Sequence, residues 1–275
     1  MSLRNSILSL AAAVLLAASC GLILEDRTDC PCWLTLQLRD DCSSLAPDAR
    51  VRLSVDGQAL AQENMTRSGT QVIAREYTVP KGIVRVCVWA GAEGEPVGGT
   101  VIPFSKNEDI DTLWAYSRLV DCSEETVVDT VGLNRYFTDV TIVPDGGTWA
   151  AMNVGRIEIR TSVGGFDLES LCTVPGDWGQ IRDVASAGAS GIRFTVPRMS
   201  YEEEFTLVFY ELEGGGLDGG ELEVWDLQKM LISSNYSWSK DDLDDVIVHH
   251  SGTDAGIGLE IAPWTPGSVY DWHSE

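Results

Sequence analysis

The chain has 275 residues and carries 42 acidic against 19 basic side chains, a formal charge of -23. That balance argues against a nucleic-acid binder, which needs basic clusters to face phosphate, and against electrostatic docking on anionic lipid. Plentiful glycine, valine and threonine suit short strands and turns better than long helices.

Arg4 is the one charge in residues 1–19, and it precedes an apolar run over 7–18. That run falls short of the roughly 20 apolar residues a membrane span needs. A basic start, a short apolar stretch and small residues at its end predict a cleaved signal peptide over 1–19. The segment Leu16-Ala17-Ala18-Ser19-Cys20 resembles a bacterial lipobox, which implies lipidation of Cys20. Each acyl methylene buried in a bilayer contributes about 0.8 kcal/mol, so several chains hold a protein on a membrane surface without a span. Residues 20–29 then form a lipidated tether. Its Glu25-Asp26 pair resembles the acidic signals of surface-exposed lipoproteins. The expected location is the outer membrane, lipid-anchored and facing outward.

Residues 33–39 alternate, with Leu34, Leu36 and Leu38 on one face, and predict a half-buried strand. Residues 51–55 repeat the pattern and end at an Asp56-Gly57 turn. Residues 72–79 and 83–90 read as a hairpin around Pro80-Lys81-Gly82. Residues 108–120 are ambiguous and admit a short helix, and 126–131 with 136–143 read as another strand pair. Pro144-Asp145-Gly146-Gly147 is the strongest break, which divides the body into residues 30–147 and 148–275.

The second half restarts with strands over 155–161, 192–196 and 204–211, followed by the glycine-rich stretch around Gly214-Gly215-Gly216. Residues 226–232 and 240–247 read as helical turns, the latter with Ser239 as its N-cap. A last strand over 256–261 leads into an aromatic tail with Trp264, Tyr270 and Trp272. Strands at short spacing in two similar halves predict an all-β chain of two tandem β-sandwiches with minor helical insertions.

Chemistry leaves few marks. With Cys20 acylated, Cys30, Cys32, Cys42, Cys87, Cys122 and Cys172 are candidates for disulfides in an exported chain, with fifteen connectivities open. Cys30 and Cys32 are too close to pair with each other without strain, and on a strand they would share a face. One or two disulfides, or buried thiols, are expected rather than a metal site, because His249, His250 and His273 are the only histidines. No metal or cofactor is expected. His249-His250 lies near Asp244-Asp245 and Ser251, but sequence neighbours do not make a triad, and the segment reads as an exposed polar loop. Asp241, Asp242, Asp244 and Asp245 lack the EF-hand spacing for calcium and read as a solvated helix start. Trp225, Trp238, Trp264 and Trp272 suit a sandwich core better than a sugar-stacking platform. An enzyme is not expected.

The lipobox, the acidic spacer, Cys30-Pro31-Cys32 and the strand Trp33-Leu34-Thr35-Leu36 together resemble the opening of the FimB/Mfa2 family of fimbrial anchor subunits from Bacteroidetes. Val79-Pro80-Lys81-Gly82 followed by Val88-Trp89-Ala90-Gly91 is similar to that family's second marker, a proline–glycine turn feeding a strand that ends in Trp-x-Gly. The resemblance covers about half of the chain. It implies two transthyretin-like sandwiches, a lipid anchor in the outer membrane, and fimbrial shaft pilins as partners. Assembly would proceed by strand complementation, in which an extended strand completes a neighbour's groove. In shaft pilins of this kind a protease cutting after an arginine removes the first strand, whereas an anchor is implied to keep it. Arg39 closes the first strand here and is read as a polar strand-end residue, since a cut there would sever Cys20 from the body. The alternative reading is a surface glycan-binding or adhesin lipoprotein of similar fold.

Overall fold

The computed structural model describes residues 30–39, 42, 49–64, 74–92, 96–97, 99–186, 191–212, 220–251 and 256–264. The signal peptide, the lipidation at Cys20, the tether, the Gly214–Gly216 loop, Tyr270, Trp272 and His273 lie outside the described residues.

In chain order the strands are β1 (Cys32–Leu38), β2 (Arg50–Val55), β3 (Gln58–Asn64), β4 (Ala74–Val79), β5 (Ile83–Ala90), β6 (Val101–Pro103), β7 (Trp114–Asp121), β8 (Thr126–Val131), β9 (Asn134–Arg135) and β10 (Phe137–Pro144). They continue as β11 (Val154–Thr161), β12 (Val163–Asp167), β13 (Cys172–Pro175), β14 (Gly179–Asp183), β15 (Ile192–Pro197), β16 (Phe205–Glu211) and β17 (Glu221–Asp226). Helix α1 (Leu227–Ser233), β18 (Asp245–His250) and β19 (Ile257–Ala262) complete the set.

The expected all-β architecture of two tandem sandwiches is what these elements build. In the first, the sheet β4-β1-β8 faces the sheet β3-β2-β5-β7-β9. Leu34, Leu36 and Leu38 from one side meet Val51, Leu53, Val84, Val86 and Val88 from the other, all fully buried. In the second, β15-β10-β18-β19 faces β14-β11-β16-β17, with Ile142, Ile159, Phe194, Leu207, Phe209 and Val248 among the side chains between them. A third small sheet, β13-β12-β6, covers the outer face of β5 and β7. There Phe166 and Ile102 bury Cys87, Trp89 and Ala115. Strand β5 is therefore buried on both faces, which is why it reads as a near-continuous apolar run.

Four sequence expectations are corrected by the hydrogen bonding. Residues around 72–79 and 83–90 do not form a hairpin: β4 pairs with β1 while β5 pairs with β2 and β7, so Pro80–Gly82 arches from one sheet to the other. Alternation says which face is apolar but not which strand lies alongside. Likewise β8 and β10 do not pair; β8 runs parallel to β1, and β10 lies between β15 and β18. Residues 114–121 are strand β7, not helix. The β2–β3 turn is as read, with Asp56 and Gly57 both at positive φ, the conformation a two-residue type I′ hairpin requires. In the second half, α1 forms as expected, capped by Asp226, whose side chain accepts from the Lys229 backbone N–H at 3.0 Å. The second helical stretch does not: residues 245–250 form β18, and the Ser239 hydroxyl bonds Ser237 instead of capping a helix.

The halves interlock instead of dividing at residues 144–147. Strand β10 precedes that break yet belongs to the second sandwich, and β6, flanked in sequence by strands of the first, pairs with β12.

Burial between the sheets raises the Cys87 thiol from 9.0 to about 11, with Ser117 pulling weakly the other way. Tyr116 is raised in the same direction, first by burial and then by its hydrogen bond to Asp129. Cys87 keeps its proton in the folded state while the unfolded chain releases it, so its contribution is complete below pH 9 and is lost as pH rises toward 11. Cys87 contributes a slope of about 1.4 kcal/mol per pH unit across that window. The urea midpoint measured from pH 8 to pH 11 is expected to fall, and Cys87→Ala should make the fall shallower. An unchanged slope in the variant would show that Cys87 does not contribute.

Candidate functional site

Strand β1 occupies the centre of its sheet. It runs antiparallel to β4, from Cys32 opposite Val79 to Gln37 opposite Ala74, and parallel to β8, from Trp33 opposite Thr126 to Leu38 opposite Val131. The ladder is closed at both ends: the Trp33 N–H donates to the Glu125 carbonyl at 2.8 Å, and the Arg39 N–H to the Val131 carbonyl at 2.9 Å. Cys32, Leu34, Leu36 and Leu38 are 0 % exposed, whereas Trp33 on the other face is 45 % exposed. Each buried leucine contributes about 1.5–3 kcal/mol. Removing β1 would uncover that row and leave β4 and β8 with bare edges. Arg39 follows the strand at the surface, beside Gly132, and its carbonyl accepts from the Cys42 N–H at 3.0 Å.

A second constellation joins the two sandwiches and was not foreseen. Arg135 sits in β9 against Trp114 of the first sandwich, yet its guanidinium is 2 % exposed inside the second. Nη2 donates to Asp245 at 2.6 Å and Asp139 at 3.2 Å, and Nη1 donates to the Leu243 carbonyl at 2.7 Å. The Arg135 N–H donates to Asp242 at 2.8 Å, and Arg193 also pairs with Asp139. The guanidinium lies 4.2 Å from the Phe137 ring centroid and 5.6 Å from that of Trp264. Trp264 in turn packs on Trp114, 5.5 Å away. Burial pushes the Asp245 carboxyl up, with the Arg135 charge opposing that shift. Of the acidic stretch read as a solvated helix start, Asp245 and Asp242 are partners of Arg135, and Asp244 pairs with Lys240.

The remaining marked residues are dispersed. Cys30 and Cys172 are exposed, Cys32, Cys42, Cys87 and Cys122 are buried, and all six carry free thiols. Cys30 precedes β1 and does not share the buried face of Cys32. His250 is not in an exposed loop: it is 1 % exposed on β18, stacked on Phe209 with ring centroids 4.2 Å apart, and its Nε2 lies 3.3 Å from Glu223. The neighbouring Ser251 hydroxyl donates to Asp145 and not to an imidazole. His249 lies 3.5 Å from Glu260. Among the described residues no group of His, Cys, Asp or Glu has the grouping to hold a metal ion. Trp238 is in the core, Trp225 is half-buried with its indole N–H on Glu223, and among the described tryptophans only Trp33 is exposed. No helix of the described residues is long and apolar enough to cross a membrane.

Two interlocked β-sandwiches with a central first strand define the class of protein to which the chain is comparable. In fold it is similar to a DUF1812 protein of Bacteroides thetaiotaomicron proposed to bind polysaccharide, at 15% identity, 85% of this chain, 98% of that chain and a TM-score of 0.57. It is similar also to the fimbrial anchor protein Mfa2 from Porphyromonas gingivalis, at 17% identity, 86% and 98% coverage and a TM-score of 0.56. A proposed adhesin from Bacteroides ovatus matches at 11% identity, 85% and 94% coverage and a TM-score of 0.56. No protein-family model matches the chain, and no curated protein does. At such identities the likeness is one of fold.

Replacing Arg135 by Met keeps bulk but leaves Asp139 and Asp245 without their shared cation. Breaking a buried pair in this way costs about 3–5 kcal/mol. The expected result is a lower urea midpoint and a separation of the unfolding of the two sandwiches into two transitions. A single transition at the parent midpoint would show that Arg135 does not join them.

Proposed function

We propose that the protein is a surface-anchored fimbrial subunit, held to the outer membrane by lipid on Cys20 and holding shaft pilins at its other end. The observation that carries this reading is the placement of β1. It begins three residues after the proposed tether and enters the fold as the central strand of its sheet, hydrogen-bonded along both edges. A pull on the tether along the strand axis loads both ladders at once instead of peeling an edge. Such continuity is what an anchor requires and what a subunit that gives up its first strand does without. The similarity in fold to the Mfa2 anchor over 86% of this chain supports the same reading.

Pilins would be engaged by β-augmentation, where main-chain hydrogen bonds give affinity and alternate side chains fill pockets. Among the described residues, strands β17 and β19 are outer strands of their sheets and are candidates for such pairing. The glycan-binding reading has less support, because it calls for neighbouring exposed tryptophans and Trp33 alone is exposed among those described. Cell-surface attachment and the absence of nucleic-acid partners rest on the leader and on the charge of -23.

Pull-down of the native protein from solubilised membranes, with mass spectrometric identification of partners, tests the assembly role; co-purifying pilins are expected. Recovery of no pilin, together with fimbriae still attached to cells lacking the protein, would overturn it. Attachment is tested separately by Cys20→Ala, which should move the protein out of the membrane fraction. Retention there would exclude a lipid at that cysteine.

A further inference from the structure

We propose that Cys32 and Cys122 form a disulfide in the exported protein, fastening the start of β1 to the opposite sheet. Cys32 opens β1, and Cys122 directly follows β7, so the two come from the facing sheets of the first sandwich. Both are 0 % exposed and lie in the same apolar cluster between the two sheets. The backbone fixes this approach from both sides. Cys32 is in register with Val79 just before the arch, and the Cys122 N–H donates to Gly82 at the end of that arch at 2.7 Å. One residue beyond Cys32, the Trp33 N–H donates to Glu125 in the turn that follows Cys122.

The other cysteines are engaged elsewhere. Cys42 Sγ sits on the backbone of Leu133, accepting from its N–H at 3.2 Å. Cys87 points to the outer face of its sheet, 3.6 Å from the Ser117 hydroxyl. Cys172 donates to the Ser170 carbonyl at the surface, and Cys30 is exposed. Of the fifteen pairings open to six cysteines, the backbone ladder around the Pro80–Gly82 arch favours Cys32 with Cys122.

The oxidant is a disulfide, carried by glutathione or by a thiol-disulfide oxidoreductase. One thiolate of the pair attacks it, forming a mixed disulfide and releasing a thiol. The second thiolate displaces the remaining carrier sulfur. Two thiol protons are lost, two electrons pass to the carrier, and the carrier ends as two thiols. Burial, together with the neighbouring Cys32 thiol, holds the Cys122 thiol well above its ordinary range. Since the thiolate is the attacking species, exchange in the folded protein is slow in both directions. The bond therefore forms during folding, and resists reduction afterwards.

Its functional meaning rests on the anchor reading. A cut after Arg39 would sever the backbone between the tether and the body, but with this bond in place residues 20–39 remain covalently attached through Cys122. The first strand then cannot be exchanged.

The test is the disulfide map of the protein isolated from the envelope with free thiols blocked at lysis. Trypsin cuts after Arg27, Arg39, Arg118 and Arg135, so a linked pair of residues 28–39 and 119–135 is expected, with fragmentation placing the bond on Cys32. The Cys30→Ser variant should yield the same pair. Recovery of Cys32 and Cys122 as separately blocked thiols, or of either joined to a different cysteine, would overturn the proposal. In refolding with glutathione disulfide, closing a loop of roughly ninety residues should raise Tm by about 10 °C over the Cys122→Ala variant. Denaturation with reductant should bring the parent down to the variant, which would not happen if Cys122 contributed by packing alone. None of these readouts depends on a pilin, so the map and the pull-down fail independently.

Discussion

The two sandwiches depend on a single cation withdrawn from water. Arg135 leaves the first sandwich on the two-residue strand β9 and places its guanidinium among Asp139, Asp245 and the Leu243 carbonyl of the second. Desolvating an arginine is costly unless every direction it faces offers charge or a carbonyl. Here the second sandwich supplies two carboxylates and a backbone oxygen to Nη1 and Nη2, and Phe137 and Trp264 pack on the guanidinium, while its Nε–H finds no hydrogen-bond partner among the described residues. The consequence is directional. The arginine is compensated only when both sandwiches are formed and correctly docked, so the charge specifies their relative placement, whereas the apolar contact of Phe166 with Trp89 and its neighbours supplies adhesion without register.

Much of this fold is legible in the chain, and what is hidden is hidden for definable reasons. The alternation of Leu34, Leu36 and Leu38 announces a half-buried strand, and that is what β1 is. The helix over α1 is equally local, with Asp226 capping it. Partner identity is another matter. Nothing in 126–131 says that it runs parallel to β1 across nearly a hundred residues, because period-two patterning encodes a face and not a neighbour. Strand β3, QALAQEN, was missed because it is an outer strand whose residues are mostly exposed, so no apolar face marks it.

The acidic run before β18 misled for a related reason. Four aspartates in five residues look like a solvated helix start, and the role of Asp242 and Asp245 appears only once Arg135, more than a hundred positions earlier, is folded against them. The run IVRVCVWA of β5 is apolar on both faces. The face of Cys87 and Trp89 is covered by a sheet whose strands come from elsewhere in the chain, so the run shows that both faces are buried but not what covers the second. The cysteines fall between these cases. Their number suggests crosslinks, but only the arch at Pro80–Gly82 brings Cys122 beneath Cys32.

The three residues of β6 bear on how such a protein can be divided and recombined. The strand is encoded between strands of the first sandwich and spent on a small sheet whose other strands, β12 and β13, come from the second half of the chain, and there it pairs Ile102 with Phe166. A fragment ending at residue 136 would retain β6 with no strand to receive it, and a fragment starting at residue 137 would present β12 with one side bare. Neither half is a module in the genetic sense. A chimera that grafts the second sandwich of a relative onto this first one must carry across the Val101–Pro103 segment as well, so the pair is inherited as a matched whole.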